Sequence, residues 1–181
     1  MRSSRMFFLA LLFASCSGNY TPKPRAFFKF DLPDKEYEKI VVDCNFSFEK
    51  PIYSILVNKN QDCFYNLEFP NQKAVLHITY LSLKQNLLDH IEESRSLAYK
   101  HSVMADAISE SVYINDEEKV YGLLYDYEGA SATATQFYLT DSMYHFFRGA
   151  LYFNTEVTDS ILPINNFIKD DIRHIIETFR W

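Results

Sequence analysis

Between Ile108 and Phe153 apolar and polar positions alternate with a period of two, in four runs: Ile108–Ile114, Val120–Tyr127, Ala134–Leu139 and Tyr144–Phe153. That period belongs to strands, whose successive side chains point to opposite faces of a sheet. The links between the runs, marked by NDEEK, EGAS and TDS, are four to six residues long. A parallel crossover needs about a dozen residues or more, so these links predict an antiparallel meander. Earlier strand-like runs are AFFKFDL at 26–32, closed by Pro33, then Tyr37–Val42, Ile52–Val57, Cys63–Phe69 and Lys73–Leu81. The last of these is apolar on both faces, with Ala74, Leu76, Ile78 and Tyr80 on one side and Val75 and Leu81 on the other. A strand wet on one face alternates more cleanly, so Lys73–Leu81 is expected near the middle of the sheet.

Two segments change to the helical period. In 83–103, Leu83, Leu87, Leu88, Ile91 and Ala98 share one side, and Asp89, Glu92, Glu93, Ser96 and Lys100 the other. In 160–181, Ile161, Ile164, Ile168, Ile172, Ile175 and Phe179 recur at steps of three and four. Ser160 is placed to cap that helix, and Pro163 is tolerated in a first turn. The expected fold is α+β, an antiparallel sheet of about six or seven strands with two main amphipathic helices. The order of helix, meander and C-terminal helix resembles the Mog1/PsbP-like α/β/α sandwich, a comparison that carries no function.

The first 15 residues follow another pattern. Arg2 and Arg5 precede an apolar stretch from Met6 to Phe13, then small Ala14 and Ser15, then Cys16. Basic, apolar and small residues in that order make a secretory signal peptide. A cysteine immediately after the cut adds the lipobox of bacterial lipoproteins, in which the thiol takes a diacylglyceryl group. Phe13 stands where that pattern usually has Leu, and the other reading is an ordinary signal peptide with an incidental cysteine. The apolar run is well short of the ~20 residues a membrane-spanning helix needs. Residues 1–15 are thus expected to be removed, with Cys16 as the lipid site at the head of a tether over 16–25. Pro22 and Pro24 favour extended backbone there, with a reach of roughly 25 Å at ~3 Å per residue. Residues 26–181 then form a single periplasmic domain.

Composition narrows the possibilities. Removing residues 1–15 with Arg2 and Arg5 leaves 166 residues carrying 16 basic and 24 acidic side chains, a formal balance of −8. An acidic chain has no electrostatic footprint for nucleic acid, and no polybasic run supplements a lipid anchor. Aromatic residues make up 17% of the chain while Gly and Pro are scarce, the reverse of a disordered composition. With Cys16 assigned to lipid, Cys44 and Cys63 remain as an even pair. In an oxidising compartment a disulfide is the default for them. It would close a loop of about 20 residues and stabilise by roughly 3 kcal/mol. The alternative is two free buried thiols.

No catalytic signature emerges. Gly129-Ala130-Ser131-Ala132-Thr133 lacks the second glycine of a nucleophile elbow, and there is no zinc-protease motif, phosphate loop or dinucleotide fingerprint. His174 follows Asp170 and Asp171 at helical spacing, which reads as a helix-surface pair before it reads as a metal site. His77, mid-strand among apolar residues, reads as a core or half-buried histidine with a hydrogen-bond partner before it reads as a ligand. Asp141, His145 and Arg148 can be drawn towards one end of the sheet. The plainer reading has Thr140 and Asp141 shaping a turn and Arg148 paired with Asp126 or Glu128. No catalytic residue, metal ligand or cofactor is assigned. Tyr144, Phe146 and Tyr152 share one face of the last strand with Arg148, and aromatic residues beside arginine suit a protein interface. These four residues are the candidate docking surface; the other reading places all of them in the core.

Several long phrases carry a resemblance. They are YTPKPRAFFKFDLP at 20–33, Cys44 with Cys63, SRSLAYKHSVMAD at 94–106, VYGLLYDYEGASATATQFYLTDS at 120–142, HFFRGALYFN at 145–154, and DSILPINNFIKDDIRHIIETFRW from 159. In these the chain resembles the gliding-motility lipoproteins of the GldD family of Bacteroidota. It departs from them at Phe13 and in the turn Gly129-Ala130-Ser131, where an Asn is expected after the Gly. The resemblance implies a lipid-anchored, non-enzymatic accessory or assembly protein of the gliding and type IX secretion machinery. Its implied contacts are membrane lipid, through acylated Cys16, and other Gld or Spr envelope proteins. The residues after Cys16 contain no acid, which suggests an outer-membrane lipoprotein facing the periplasm, with the inner membrane as the other placement. The contrasting expectation is a small-ligand-binding protein or enzyme with a site near His145 and Arg148.

Overall fold

The computed structural model describes residues 30–40, 42–59, 62–101, 105–129, 133–155 and 160–181. Its centre is an antiparallel sheet of seven strands in the order β3-β4-β5-β9-β8-β7-β6. The strands are β3 (Ile55–Asn58), β4 (Phe64–Phe69), β5 (Ala74–Ser82), β6 (Ala107–Asn115), β7 (Val120–Glu128), β8 (Thr133–Thr140) and β9 (His145–Phe153). A separate two-stranded ribbon pairs β1 (Tyr37–Lys39) with β2 (Glu49–Pro51). Two helices complete the fold, α1 (Leu87–His101) and α2 (Leu162–Glu177). The α+β class, the strand number and the two helices agree with the sequence reading.

Strands β6 to β9 form the meander that short links require. The sheet is then closed to the first half by β5, which lies between β4 and β9. β5 is thus an interior strand, as its two apolar faces imply. A β-bulge between Thr133 and Thr135 shifts the register of β8 on β9. Gly149, at the middle of β9, leaves room for the Phe137 ring; a β-carbon there would sit 2.4 Å from that ring. Only a residue without a side chain lets Phe137 lie across the strand.

Alternation divides the sheet into two faces. On the first, Leu67, Leu76, Ile78, Phe137, Leu139, Phe147 and Leu151 pack against Ile168, Ile172, Ile175 and Phe179 of α2 and the chain end. Phe46 and Phe48, from the segment beside the ribbon, join the same cluster. Phe147 lies 5.0 Å from Phe46 and 4.8 Å from Phe179 between ring centres. On the second face a smaller cluster of Ala98, Tyr125 and Tyr127 lies under α1.

The structure corrects several element boundaries. The expected strand 26–32 lies outside the described residues up to 29, and residues 30–36 form no strand. Here Lys35 is held by its side chain to α2 instead. The strand expected over Tyr37–Val42 is only Tyr37–Lys39. The helix expected from 83 begins at Leu87. Asn86 explains the delay: its side chain accepts the Lys84 N–H while its carbonyl takes the first helical bond, from His90. Leu88 is 78% exposed and does not belong to the buried side. Ser160 does not cap α2, whose N-cap position is Ile161 with no side-chain cap. That helix stops at Glu177, because Arg180 exchanges backbone bonds with Ser47 and Phe179 turns into the core.

Candidate functional site

The turn between β8 and β9 is built by the two residues assigned to it. One Asp141 oxygen accepts the N–H groups of Met143, Tyr144 and His145 at 2.9, 2.8 and 2.8 Å. Burial pushes this carboxyl upward, but the three backbone donors outweigh it and hold it below the ordinary value. Thr140 donates to the His145 carbonyl and accepts the Ser142 N–H. The turn tips Tyr144 outward, at 61% exposure.

Tyr144 alone of the four candidate docking residues is exposed. Phe146 is 2% exposed and lies between His90 of α1 and Tyr138, at 5.4 and 5.5 Å. Tyr152 is half-buried beside His77. Arg148 is half-buried and donates to the Gln136 side-chain oxygen at 2.7 Å. Burial lowers its pKa, with Glu93 of α1 opposing. The docking reading needs all four in one open patch, but α1 covers the middle of it, so the core reading holds for Phe146 and the open-patch reading for Tyr144. The expected pairing of Arg148 with Asp126 or Glu128 is also replaced. Asp126 lies on the first face and pairs with Lys169 at 3.3 Å and Arg173 at 3.0 Å.

His145 and Arg148 do not meet. Three residues apart on a strand, they occupy opposite faces of β9. The His145 ring bonds the Tyr80 hydroxyl at 2.7 Å and stacks on Trp181 at 5.1 Å. The site expected near His145 and Arg148 is therefore split by the sheet itself.

The residues Asp170, Asp171 and His174 likewise separate. Asp170 pairs with Arg173. His174 bonds Glu49 at 2.8 Å and stacks on Tyr37 at 3.6 Å. Asp171 is fully buried and accepts from Lys35 at 2.6 Å, Tyr37 at 3.0 Å and Tyr53 at 2.6 Å. Burial, then the bond to Asp171, raises both tyrosines well above their ordinary range. The cluster fastens the first half of the chain onto α2. Its donors are more than a hundred residues away in sequence, and the only local signal was an acid beside Ile168, Ile172 and Ile175. Among the described residues no group of three His, Cys, Asp or Glu is arranged to hold a metal ion.

Cys44 and Cys63 are joined by a disulfide, with Cα atoms 5.9 Å apart and a sequence separation of 19. Cys16 and the tether lie outside the described residues. An open cleft of about 1110 Å³ runs between α2 and the ends of β6 and β7, lined by Asp106, Asp126, Asn165, Lys169, Asp170 and Arg173. Its cations are already engaged. Lys169 donates to the Tyr127 carbonyl and pairs with Asp126, and Arg173 joins Asp126 to Asp170.

The class defined by these features is a disulfide-closed α+β domain, a seven-stranded antiparallel sheet between two helices, whose ionisable groups fasten its elements together. No helix among the described residues is long and apolar enough to cross a membrane. Over residues 17–181 the chain matches the family model described as gliding motility lipoprotein GldD, and it belongs to that family. No curated protein matches it.

Proposed function

We propose that the chain is a lipid-anchored, non-enzymatic assembly protein of the gliding machinery and of the linked type IX secretion system. It is held at the outer membrane by Cys16 and faces the periplasm. The family match carries this reading, and the matched region starts at Ser17, directly after the proposed lipid site. The placement of His145 and Arg148 on opposite faces supports a binding role over a catalytic one. The side chains singled out for chemistry are spent on the fold: His145 on Tyr80, Arg148 on Gln136, and Asp171 on three donors.

The test is complementation of a deletion strain. The wild-type chain should restore gliding and secretion, while Cys16→Ala should restore neither although its domain is exported and folded. Double substitution His145→Ala, Arg148→Met should retain function wherever the protein accumulates. Full motility from the Cys16→Ala chain would remove the anchor from the account. Loss of function in a stable His145/Arg148 double variant would return the question to a chemical site. Rapid digestion of the domain by protease added to intact cells would overturn the periplasmic orientation.

A further inference from the structure

The two edges of the sheet are unlike each other. At one end β3 has four residues. At the other, β6 has nine, Ala107–Asn115, paired on one side only, to β7, in unbroken register from Ala107↔Glu128 to Asn115↔Val120. Among the described residues no backbone hydrogen bond joins β6 to anything except β7. Natural sheets blunt such an edge with proline, lysine, a bulge or a covering loop. β6 contains no proline, lysine or arginine, and its pairing has no bulge. It also displays Val112 and Ile114 at 73% and 64% exposure, on the same face as α1 but beyond its cover.

Charge indicates what fits there. Asp106 and Glu128 stand at one end of β6, Glu110 in the middle, and Asp116 and Glu117 at the other end, with Lys119 the one cation of that turn. None of these five acids makes an ion pair among the described residues; Glu110 and Asp116 accept from the neutral hydroxyls of Tyr99 and Tyr121. A second copy is a poor occupant. Antiparallel pairing of β6 with itself about Ser111 sets Asp106 opposite Asp116 at both ends, and like charges across strands destabilise. A segment with basic ends meets no such repulsion.

We propose that the outer edge of β6 is a docking site for an extended segment of another polypeptide, apolar at alternate positions and basic at its ends. The segment joins the sheet as an eighth strand. Main-chain hydrogen bonds supply affinity, Val112 and Ile114 meet its apolar side chains, and the acidic ends select its charge. This deepens the assembly reading by naming the surface. The two fail separately, since peptide binding is read in vitro and the assembly role by complementation.

The full-length chain in detergent is titrated with a fluorescent peptide of about eight residues, alternating threonine and valine with lysine at each end. Saturable binding is expected, with slowed amide exchange confined to residues 107–115. Val112→Lys on the protein, or glutamate in place of the peptide's lysines, should each weaken binding about tenfold. Val112 is so exposed that its substitution should leave the melting temperature unchanged, which separates lost docking from lost folding. Absence of saturable binding, equal affinity for the glutamate peptide, or protection over Ile55–Asn58 would overturn the proposal. So would sedimentation of the chain as a dimer whose β6 amides are already protected.

Discussion

Phe146 and Phe147 are neighbours on β9, of one residue type and nearly one burial, 2% and 0% exposed, yet they stand in different surroundings. Phe147 enters the aromatic cluster of the first face, against Phe46, Phe137 and Phe179. Phe146 is sandwiched between Tyr138 and a histidine of α1, next to a small cluster in which Ala98 of α1 meets Tyr125 and Tyr127, with Ile108 and Leu123 beside it. The first face is fastened at several separated points, by α2, by Phe46 and Phe48, and by the buried Asp171. The second is covered by one helix that exposes Leu88 and Tyr99. Stability is therefore concentrated on one face, and the surface open to partners on the other face and at its β6 edge.

The largest effect should come from removing one ring at a time. Phe147→Ala should cost about 3–5 kcal/mol, because α2 and the flanking segments are too constrained to fill the space. Phe146→Ala should cost less, about 2–3 kcal/mol, because α1 is free to settle into the gap. Urea unfolding of both variants measures the difference. Equal losses would mean that the two faces are equally committed, and the comparison would break.

A second contrast uses the charged group each face buries. Asp171 receives Lys35, Tyr37 and Tyr53. Asp171→Ala strands those donors and should cost about 3 kcal/mol, as breaking a buried charge pair does. Arg148 has one neutral partner, Gln136, whose side-chain nitrogen is buried without a partner of its own. Arg148→Met keeps the packing of the stem and should change stability by less than about 1 kcal/mol. Thermal melts of the two variants give the ranking, and a costly Arg148→Met would show that the second face too depends on its charge.

The same contrast explains what was legible in the sequence. Strand periodicity is local, so the meander of β6 to β9 and the interior place of β5 were readable from spacing alone. The burial of Phe146 was not, because it depends on where α1 crosses the sheet. The apolar stripe that included Leu88 extended one turn beyond what α1 buries. The edge position of β6 was also hidden. Its residues alternate like those of its neighbours, and only the long-range pairing of β5 with β9 leaves β6 at the margin. Asp171 sat in plain view as one acid of an apparent surface pair, but Lys35, Tyr37 and Tyr53 come to it from the far end of the chain. The turn at Thr140 and Asp141 was readable, since every bond in it is local.

The smallest effect tests the second face through pH. His77 lies there, bonded to Asn66 at 2.9 Å and beside Tyr152, but exposed rather than in the core or half-buried as its apolar neighbours in sequence suggest, because its side of β5 faces outward beyond α1. Asn66 presents its oxygen, so the His77 Nδ1–H donates. His77 keeps an exposed edge, but the partial loss of solvent around its ring, and then Lys59, lower this imidazole below its ordinary 6.5. The unfolded chain therefore takes up the proton at a higher pH than the folded one. The contribution of His77 is fully present above about pH 7 and is lost as pH falls through 6.5 towards the depressed value. His77→Gln keeps a polar partner for Asn66 but removes the titration. Melting temperatures from pH 8 to pH 5 should fall more for the wild-type chain than for the variant. The acid loss attached to Asp141 begins lower, below about pH 4, and should be common to both. Superimposable profiles above pH 5 would show that His77 is as well solvated folded as unfolded, and that this half of the second face is open to water rather than a packed surface.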